Sequence, residues 1–401
     1  MISIEEARAR ILAPLRPTAA ETVGLAEAWG RVTAADLTAR LTQPPADLSA
    51  MDGYAVRAAD AAAGARLAVI GAAPAGHPFA GRVGVGETVR LFTGSVMPEG
   101  ADSVLLQEDA TAAADAVVVG EAVRPGQHVR RAGQDFREGE VLIPCGRRLG
   151  ARDVGLAAAA NHPWVAVHRR PAIGILATGD EIALPGEALA PGGIVSSNAH
   201  ALAALVRGRG GVPVVLPIVP DDPAAIAAVA DGLRGLDMLV TTGGASVGAH
   251  DLVQSALGTR GLAIDFWRIA MRPGKPLMAG AIGGVPFLGL PGNPVSALVC
   301  ALLFLVPALD VLSGLPGEPP PTVKARLAAP LPANDARADH LRATLEAGPD
   351  GLPLARAFAR QDSAMLRLLA GAVALILRAP HAPPAEAGAL VDVIRLDTLG
   401  I

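Results

Sequence analysis

The sequence predicts a multidomain α/β protein: a mainly parallel, three-layer α/β domain, a small inserted β domain ahead of it, and a β barrel or sandwich behind it. Three observations carry this. Between residues 171 and 315, short apolar runs alternate with helix-length stretches, the pattern of strands joined by covering helices. Between 44 and 145 the apolar runs are short and glycine-separated, the texture of an all-β module. Beyond the stiff linker Ser313-Gly-Leu-Pro-Gly-Glu-Pro-Pro-Pro321, five further apolar stretches read as strands.

Taken in order, Ser3 caps a first helix, and an extended segment from Trp29 to Arg40 runs up to the break at Pro44-Pro45. The insertion, 44–145, has strands expected at 65–70, 88–92, 103–106, 116–119 and 141–143. A helix at about 151–161 and a strand from Pro163 to His168 follow, and they are too small to hold a core alone. They are expected to pack with the N-terminus as one linker domain, 1–43 plus 146–170. In the domain at 171–315, strands are expected at 172–177, 212–219, 237–242, 264–269 and 285–290. Helices are expected from about Asn198, after Asp222-Pro223, after Asp251 and after Pro294. The last domain, 319–401, carries strands at 323–327, 340–345, 353–358, 372–377 and 389–396.

Composition narrows the function classes. Net charge is −4 with both signs dispersed, which leaves no basic stripe for nucleic acid. Cys145 and Cys300 are far apart, which excludes a disulfide framework and a cysteine-rich zinc site and fits a reducing cytoplasm. The N-terminus lacks a signal-peptide core, and the apolar run Val295 to Leu309 falls short of the roughly 20 residues that span a bilayer. Small molecules and proteins are the partners this leaves.

Three glycine turns follow apolar runs: Thr178-Gly179-Asp180-Glu181, Thr242-Gly243-Gly244-Ala-Ser246-Val-Gly248 and Pro291-Gly292-Asn293-Pro294. On a parallel sheet they share the carboxyl edge, where ligands bind and where backbone amides approach phosphates closely. Asn293 is placed to cap a helix whose first residue is Pro294, so the positive dipole end favours an oxyanion. Just upstream, Arg268, Arg272 and Lys275 supply cations around a Pro-Gly turn; Lys275 and Lys324 are the only lysines in a chain rich in arginine. Asp180, Glu181, Asp221, Asp222 and Asp251 are the acids near these loops, and acids beside phosphates call for a bridging Mg2+. Asp222 before Pro223 also reads simply as a helix cap. Gly-Ala-Ser246-Val-Gly matches a hydrolase elbow, but His340 and His381 fall in the separate C-terminal domain. A dinucleotide fingerprint is absent, and the eight histidines show no metal-ligand spacing. In the insertion, Ser49-Ala-Met-Asp52-Gly-Tyr-Ala-Val56 holds the only tyrosine, with further loop signals at Phe92-Thr93-Gly94 and Gly133-Gln-Asp135.

Five stretches in this order, 49–56, 178–181, 242–248, Arg272-Pro-Gly-Lys-Pro276 and Leu290-Pro-Gly-Asn-Pro-Val-Ser-Ala297, resemble the MoeA family of molybdopterin molybdenumtransferases. The resemblance runs from the first helix to the C-terminal domain. It implies a molybdopterin-binding type of α/β domain, a C-terminal β barrel, and insertion of molybdate into adenylylated molybdopterin with release of AMP and Mg2+ assistance. It further implies a homodimer with its cleft between subunits, and a molybdopterin adenylyltransferase or a molybdoenzyme as protein partners. Matching positions are Asp52, Asp135, Glu181, Asp221, Asp251 and Lys275 for catalysis, with Glu181 and Asp251 toward the metal. Thr93, Arg342 and Ser363 match further site positions. Two departures stand out: His340 replaces the family's usual aromatic before Arg342, and Arg268 and Arg272 replace lysines. The alternative readings are a molybdopterin adenylyltransferase, which has the same domain type, and a scaffold such as gephyrin.

Overall fold

The computed structural model describes residues 1–243, 250–348 and 350–399, with the backbone alone at 250–252. It divides into two compact units, one of Met1–Glu21, Gly30–Ala34 and Ala166–Ile401, the other of Thr22–Trp29 and Ala35–Val165.

In the smaller unit, β1 (Gly53–Val56), β2 (Arg66–Ala73), β3 (Glu87–Leu91), β4 (Ser103–Leu106), β5 (Ala110–Ala113) and β6 (Ala116–Val119) form one sheet in the order β4-β1-β3-β2-β6-β5. The apolar runs account for four of these strands. β1 is less apparent in sequence because it opens on Gly53, where a Cβ would overlap the Leu105 carbonyl of the neighbouring strand. Tyr54 has a packing role: the Arg90 guanidinium stacks on its ring at 4.9 Å and on Phe92 at 5.3 Å.

The larger unit is built on a six-stranded sheet. Its strands are β7 (Ala172–Ala177), β8 (Val212–Val215), β9 (Met238–Thr242), β10 (Leu262–Trp267), β12 (Met278–Ile282) and β13 (Val285–Leu290), in the order β8-β7-β9-β13-β12-β10. The first four in that order are parallel; β12 runs antiparallel to β13, and β10, antiparallel to β12, regains the direction of the first four. β12 eludes the apolar pattern because it is small-residue rich, yet Gly283 and Gly284, both at positive φ, turn it into a hairpin with β13. β8 ends earlier than its apolar run, since Pro217 has no N–H to continue the ladder.

Helices α1 (Ile4–Leu12) and α2 (Asn198–Gly208) join the core of this sheet, burying Ile4, Ala7 and Ile11 alongside Leu202, Val206, Ile173 and Val240. The Ser3 hydroxyl accepts from the Glu6 N–H at 3.1 Å, capping α1. Helices α3 (Pro223–Ala228) and α4 (His250–Gly258) bring Ile226, Val253 and Leu257 into a second cluster with Leu176, Leu239 and Phe287. The apolar segment after Asn293 is α5 (Pro294–Cys300), a π turn (Ala301–Leu305) and α6 (Val306–Leu312). The π turn absorbs Pro307, which can neither donate to the preceding turn nor avoid its carbonyl in a regular helix. Among the described residues this is the one helix long and apolar enough to cross a membrane, and 83% of its apolar window is buried within the protein. Each Leu or Val buried there contributes roughly 1.5–3 kcal/mol.

The C-terminal strands β14 (Thr322–Leu327), β15 (Ala338–Glu346), β16 (Leu354–Ala357), β17 (Ala374–Arg378) and β18 (Leu390–Arg395) pair as β15-β16-β14-β18-β17, and β17 returns to β15, closing a five-stranded barrel. The short β11 (Met271–Arg272) adds to β15 from outside, pairing Met271 with Ala338 and Arg272 with Asp339. The Arg272–Lys275 turn of the α/β domain is thereby anchored to the barrel.

Candidate active site

β7, β9 and β13 are consecutive parallel strands, so the turns after Ala177, Thr242 and Leu290 emerge side by side at one sheet edge. They border a cavity of about 1130 Å³, completed by the Arg272–Pro276 turn and by barrel residues Arg337 and 361–364. Backbone meets backbone there: a Cβ on Gly243, which sits at φ 98°, would come within 2.6 Å of the Thr178 carbonyl.

Thr178, Gly179, Glu181, Asp221, Gly243, Arg272, Gly274, Lys275, Pro291, Gly292, Asn293, Pro294 and Ser363 all line this cavity. Asp180 stands behind it, its carboxylate accepting the Asp221 N–H at 3.0 Å. Gly244, Ser246, Gly248 and the Asp251 side chain lie outside the described residues. Asp52, Thr93 and Asp135 belong to the smaller unit. There Asp52 accepts the Thr93 N–H at 2.7 Å and its hydroxyl at 2.8 Å, and the N–H bond in particular holds its carboxyl below the usual range.

Three basic residues take positions that their chain neighbours do not reveal. Arg268, at φ 74°, lays its guanidinium over Trp267 at 3.7 Å and is not among the lining residues. Arg272 lines the cavity while paired with Asp339, through Nε at 2.8 Å and through Nη2, and more loosely with Asp335. Those bonds raise its pKa further. Arg342 is 1% exposed, with one nitrogen donating to the Asp362 carbonyl at 2.8 Å and Nε and Nη2 without partners. It supports the 361–363 loop from beneath, where Gln361 both accepts from its N–H and donates to its carbonyl.

The helix start differs from expectation. Asn293 has the backbone of an N-cap, but its amide donates to the Ser363 hydroxyl at 2.9 Å rather than capping α5. The Val295 N–H donates to the Ser363 carbonyl at 3.1 Å. The barrel thus occupies one of the free amides that the sequence offered to an anion. Asp222, by contrast, caps α3 through the Ala224 N–H, the plain reading of Asp-Pro.

The lysine turn rests on sulfur. Gly274, at φ 111°, lies against Cys300 and Met271; a Cβ there would overlap the Cys300 sulfur, whose thiol contacts the Gly274 carbonyl at 3.7 Å. Burial pushes that thiol far up, so it stays protonated. Lys275 itself is exposed and has no carboxylate partner among the described residues. In the same cavity, desolvation and then the charges of Asp180 and Glu181 raise the Asp221 carboxyl.

The lining also includes residues that no motif singled out: Ser196, Ser197, Asn198, Arg337 and the aliphatic Ile182, Ile194 and Val195. Ser-Ser-Asn immediately before a helical run was the available signal for the first three, a helix start on the same sheet edge.

Fold and site define an α/β protein with a cavity bordered by glycine turns at the carboxyl edge of its sheet and completed by residues of a β barrel. Residues 2–161 match the MoeA N-terminal region (domain I and II), 174–311 a probable molybdopterin binding domain, and 324–396 the MoeA C-terminal region (domain IV). The chain belongs to the MoeA family. The molybdopterin molybdenumtransferase of Nostoc sp. is 38% identical over 316 residues, covering 76% of this chain and 72% of that protein. Molybdopterin molybdenumtransferase 1 of Mycobacterium tuberculosis is 32% identical across 98% of both chains. The crystal structure of the molybdopterin biosynthesis MoeA protein from Pyrococcus horikosii superposes with a TM-score of 0.86 at 29% identity, covering 98% of this chain and 99% of that one.

Proposed function

We propose that this chain is a molybdopterin molybdenumtransferase, which inserts molybdate into adenylylated molybdopterin and releases AMP in molybdenum cofactor biosynthesis. One observation carries the reading: a single cavity is lined by glycine turns, by Glu181 and Asp221, and by Lys275, which has no carboxylate partner among the described residues, in a chain 38% identical to a protein of that name.

The roles follow from charge and reach. Lys275, a compact ammonium on an exposed turn, collects molybdate, with Arg272, Gly274 and Ser363 beside it and Arg342 supporting the Ser363 loop. The amides of Thr178-Gly179, Gly243 and Gly292-Asn293 hold the adenylyl pyrophosphate, and Gly244, Ser246 and Gly248 are assigned to the same role from the sequence alone. Holding both reactants together promotes cleavage of the anhydride and metal transfer to the dithiolene. Asp52, Thr93 and Asp135 remain candidates on the resemblance alone.

Mg2+ fits this donor set. No group of three or more His, Cys, Asp or Glu side chains among the described residues forms a metal cage, but magnesium takes one or two carboxylates and fills its shell with phosphate oxygens and water. Glu181, with Asp221 and Asp251, would hold it; desolvation first, and then the like charges of Asp180 and Glu181, raise the Asp221 carboxyl, and a cation would relieve those charges. Bound there, it would neutralise phosphate charge. The working form proposed is a cytoplasmic homodimer with its cleft between subunits, made of the four domains delimited above and served by a molybdopterin adenylyltransferase or a molybdoenzyme.

The test is AMP release from adenylylated molybdopterin on adding molybdate, with tungstate in competition. Molybdate-dependent AMP release is expected; ATP consumption with free molybdopterin instead would identify an adenylyltransferase, and inactivity of a well-folded dimer would favour a scaffold.

A further inference from the structure

Asn198 opens α2 and lines the cavity. Its side-chain nitrogen donates twice, to the Thr242 hydroxyl at 2.8 Å and to the Gly292 carbonyl at 2.7 Å. These acceptors belong to different glycine turns, one after β9 and one after β13. The turns themselves are in backbone contact: a Cβ on Gly292 would touch Gly243 Cα at 3.4 Å. Residues without side chains cannot set their own peptide planes through packing, so a neighbour has to do it.

The orientation of the amide is settled by chemistry. The Gly292 carbonyl can only accept, so the nitrogen end must face it, and both amide protons are then used. A trans peptide points its C=O and the following N–H in opposite directions. Tying back the Gly292 carbonyl therefore fixes the direction of the Asn293 N–H and prevents that carbonyl from swinging toward a bound oxyanion. This matters more because the next amide of the helix start, Val295 N–H, is already taken by Ser363.

We infer that Asn198 is a positioning residue: it sets the Gly292–Asn293 peptide and, through it, the affinity of the cavity for phosphate and molybdate. The inference rests on the proposed function and adds a residue to it.

Asn198→Asp keeps the shape and removes both donors, leaving an introduced carboxylate against the Gly292 carbonyl. Calorimetry on the full-length protein with AMP and with molybdate is expected to show affinity lower by roughly 30- to 100-fold for Asn198→Asp and about tenfold for Asn198→Ala. Melting temperatures of both should stay within a few degrees of wild type. Relative to wild type at each pH, AMP affinity of Asn198→Asp should recover as the introduced carboxyl protonates and again donates to Gly292, whereas Asn198→Ala should show no recovery. A space-filling role would produce no such divergence. Wild-type affinity in Asn198→Asp at neutral pH, or parallel pH profiles for the two variants, overturns the inference alone. A wild type that binds neither AMP nor molybdate overturns the proposed function and this inference with it.

Discussion

The two walls of the cavity carry opposite charge and manage it differently. On the acidic wall, Asp180, Glu181 and Asp221 have no cationic partner among the described residues, and the Asp221 carboxyl is raised by desolvation and by its two neighbours. On the basic wall, Arg272 is bound by Asp339 and shares Asp335 with Arg337. Asp335 is held down to about 2, above all by its bond to the Arg337 side chain. The acidic wall therefore keeps uncompensated charge, which the proposed Mg2+ would relieve. On the other wall the arginine is committed to structure, and Lys275 has no carboxylate partner among the described residues.

The strongest way to break this contrast is Lys275→Ala. If Lys275 is the working cation, molybdate-dependent AMP release should fall on the order of 10²- to 10³-fold in kcat/KM, with the fold unchanged because the side chain is exposed. Arg272→Ala would be the more damaging variant if the contrast were misplaced.

Gly274→Ala comes next. Its Cβ would overlap the Cys300 sulfur at a positive φ, which predicts a loss of about 2–4 kcal/mol in urea unfolding. Cys300→Ala in the same background should restore part of it; full stability of the single variant would show that the lysine turn is not seated on sulfur.

His340 tests the basic wall from beneath. It is buried and its Nδ1 has no partner. Burial lowers its pKa from 6.5 to about 4. A depressed folded value means that stability is full above about 6.5 and lost as pH falls toward 4. At about 1.4 kcal/mol per unit, the loss is on the order of 3 kcal/mol. His340→Phe should flatten that part of the stability–pH curve.

The smallest expected effect concerns the acidic wall. A carboxyl raised in the folded state contributes stability that is present below its unfolded pKa and lost as pH rises through the folded value. Asp221→Asn should therefore raise the melting temperature slightly at pH 7 while lowering activity. Mg2+ should raise the wild-type melting temperature and do so less in Asp221→Asn; an equal rise would remove Asp221 from the cation's surroundings.

The glycine turns and Lys275 were legible because their signals are local: a strand's end, a Pro-Gly corner, a helix start. The pairing of Arg272 with Asp339 joins residues 67 apart in sequence, and that of Asn293 with Ser363 spans 70. Nothing in either segment alone announces its partner. Arg268 was misleading for a related reason: its neighbour Trp267, an exposed aromatic face, offers the guanidinium a stacking surface away from the cavity.

Local chemistry in the chain determined where strands end, which turns need glycine and which cations are available, because backbone geometry and short-range sterics act over a few residues. Which charges remain free was decided in three dimensions. Closure of the barrel and its pairing with β11 set the Arg272 guanidinium beside the Asp339 carboxylate, and a charge already compensated nearby attracts a ligand less than an uncompensated one.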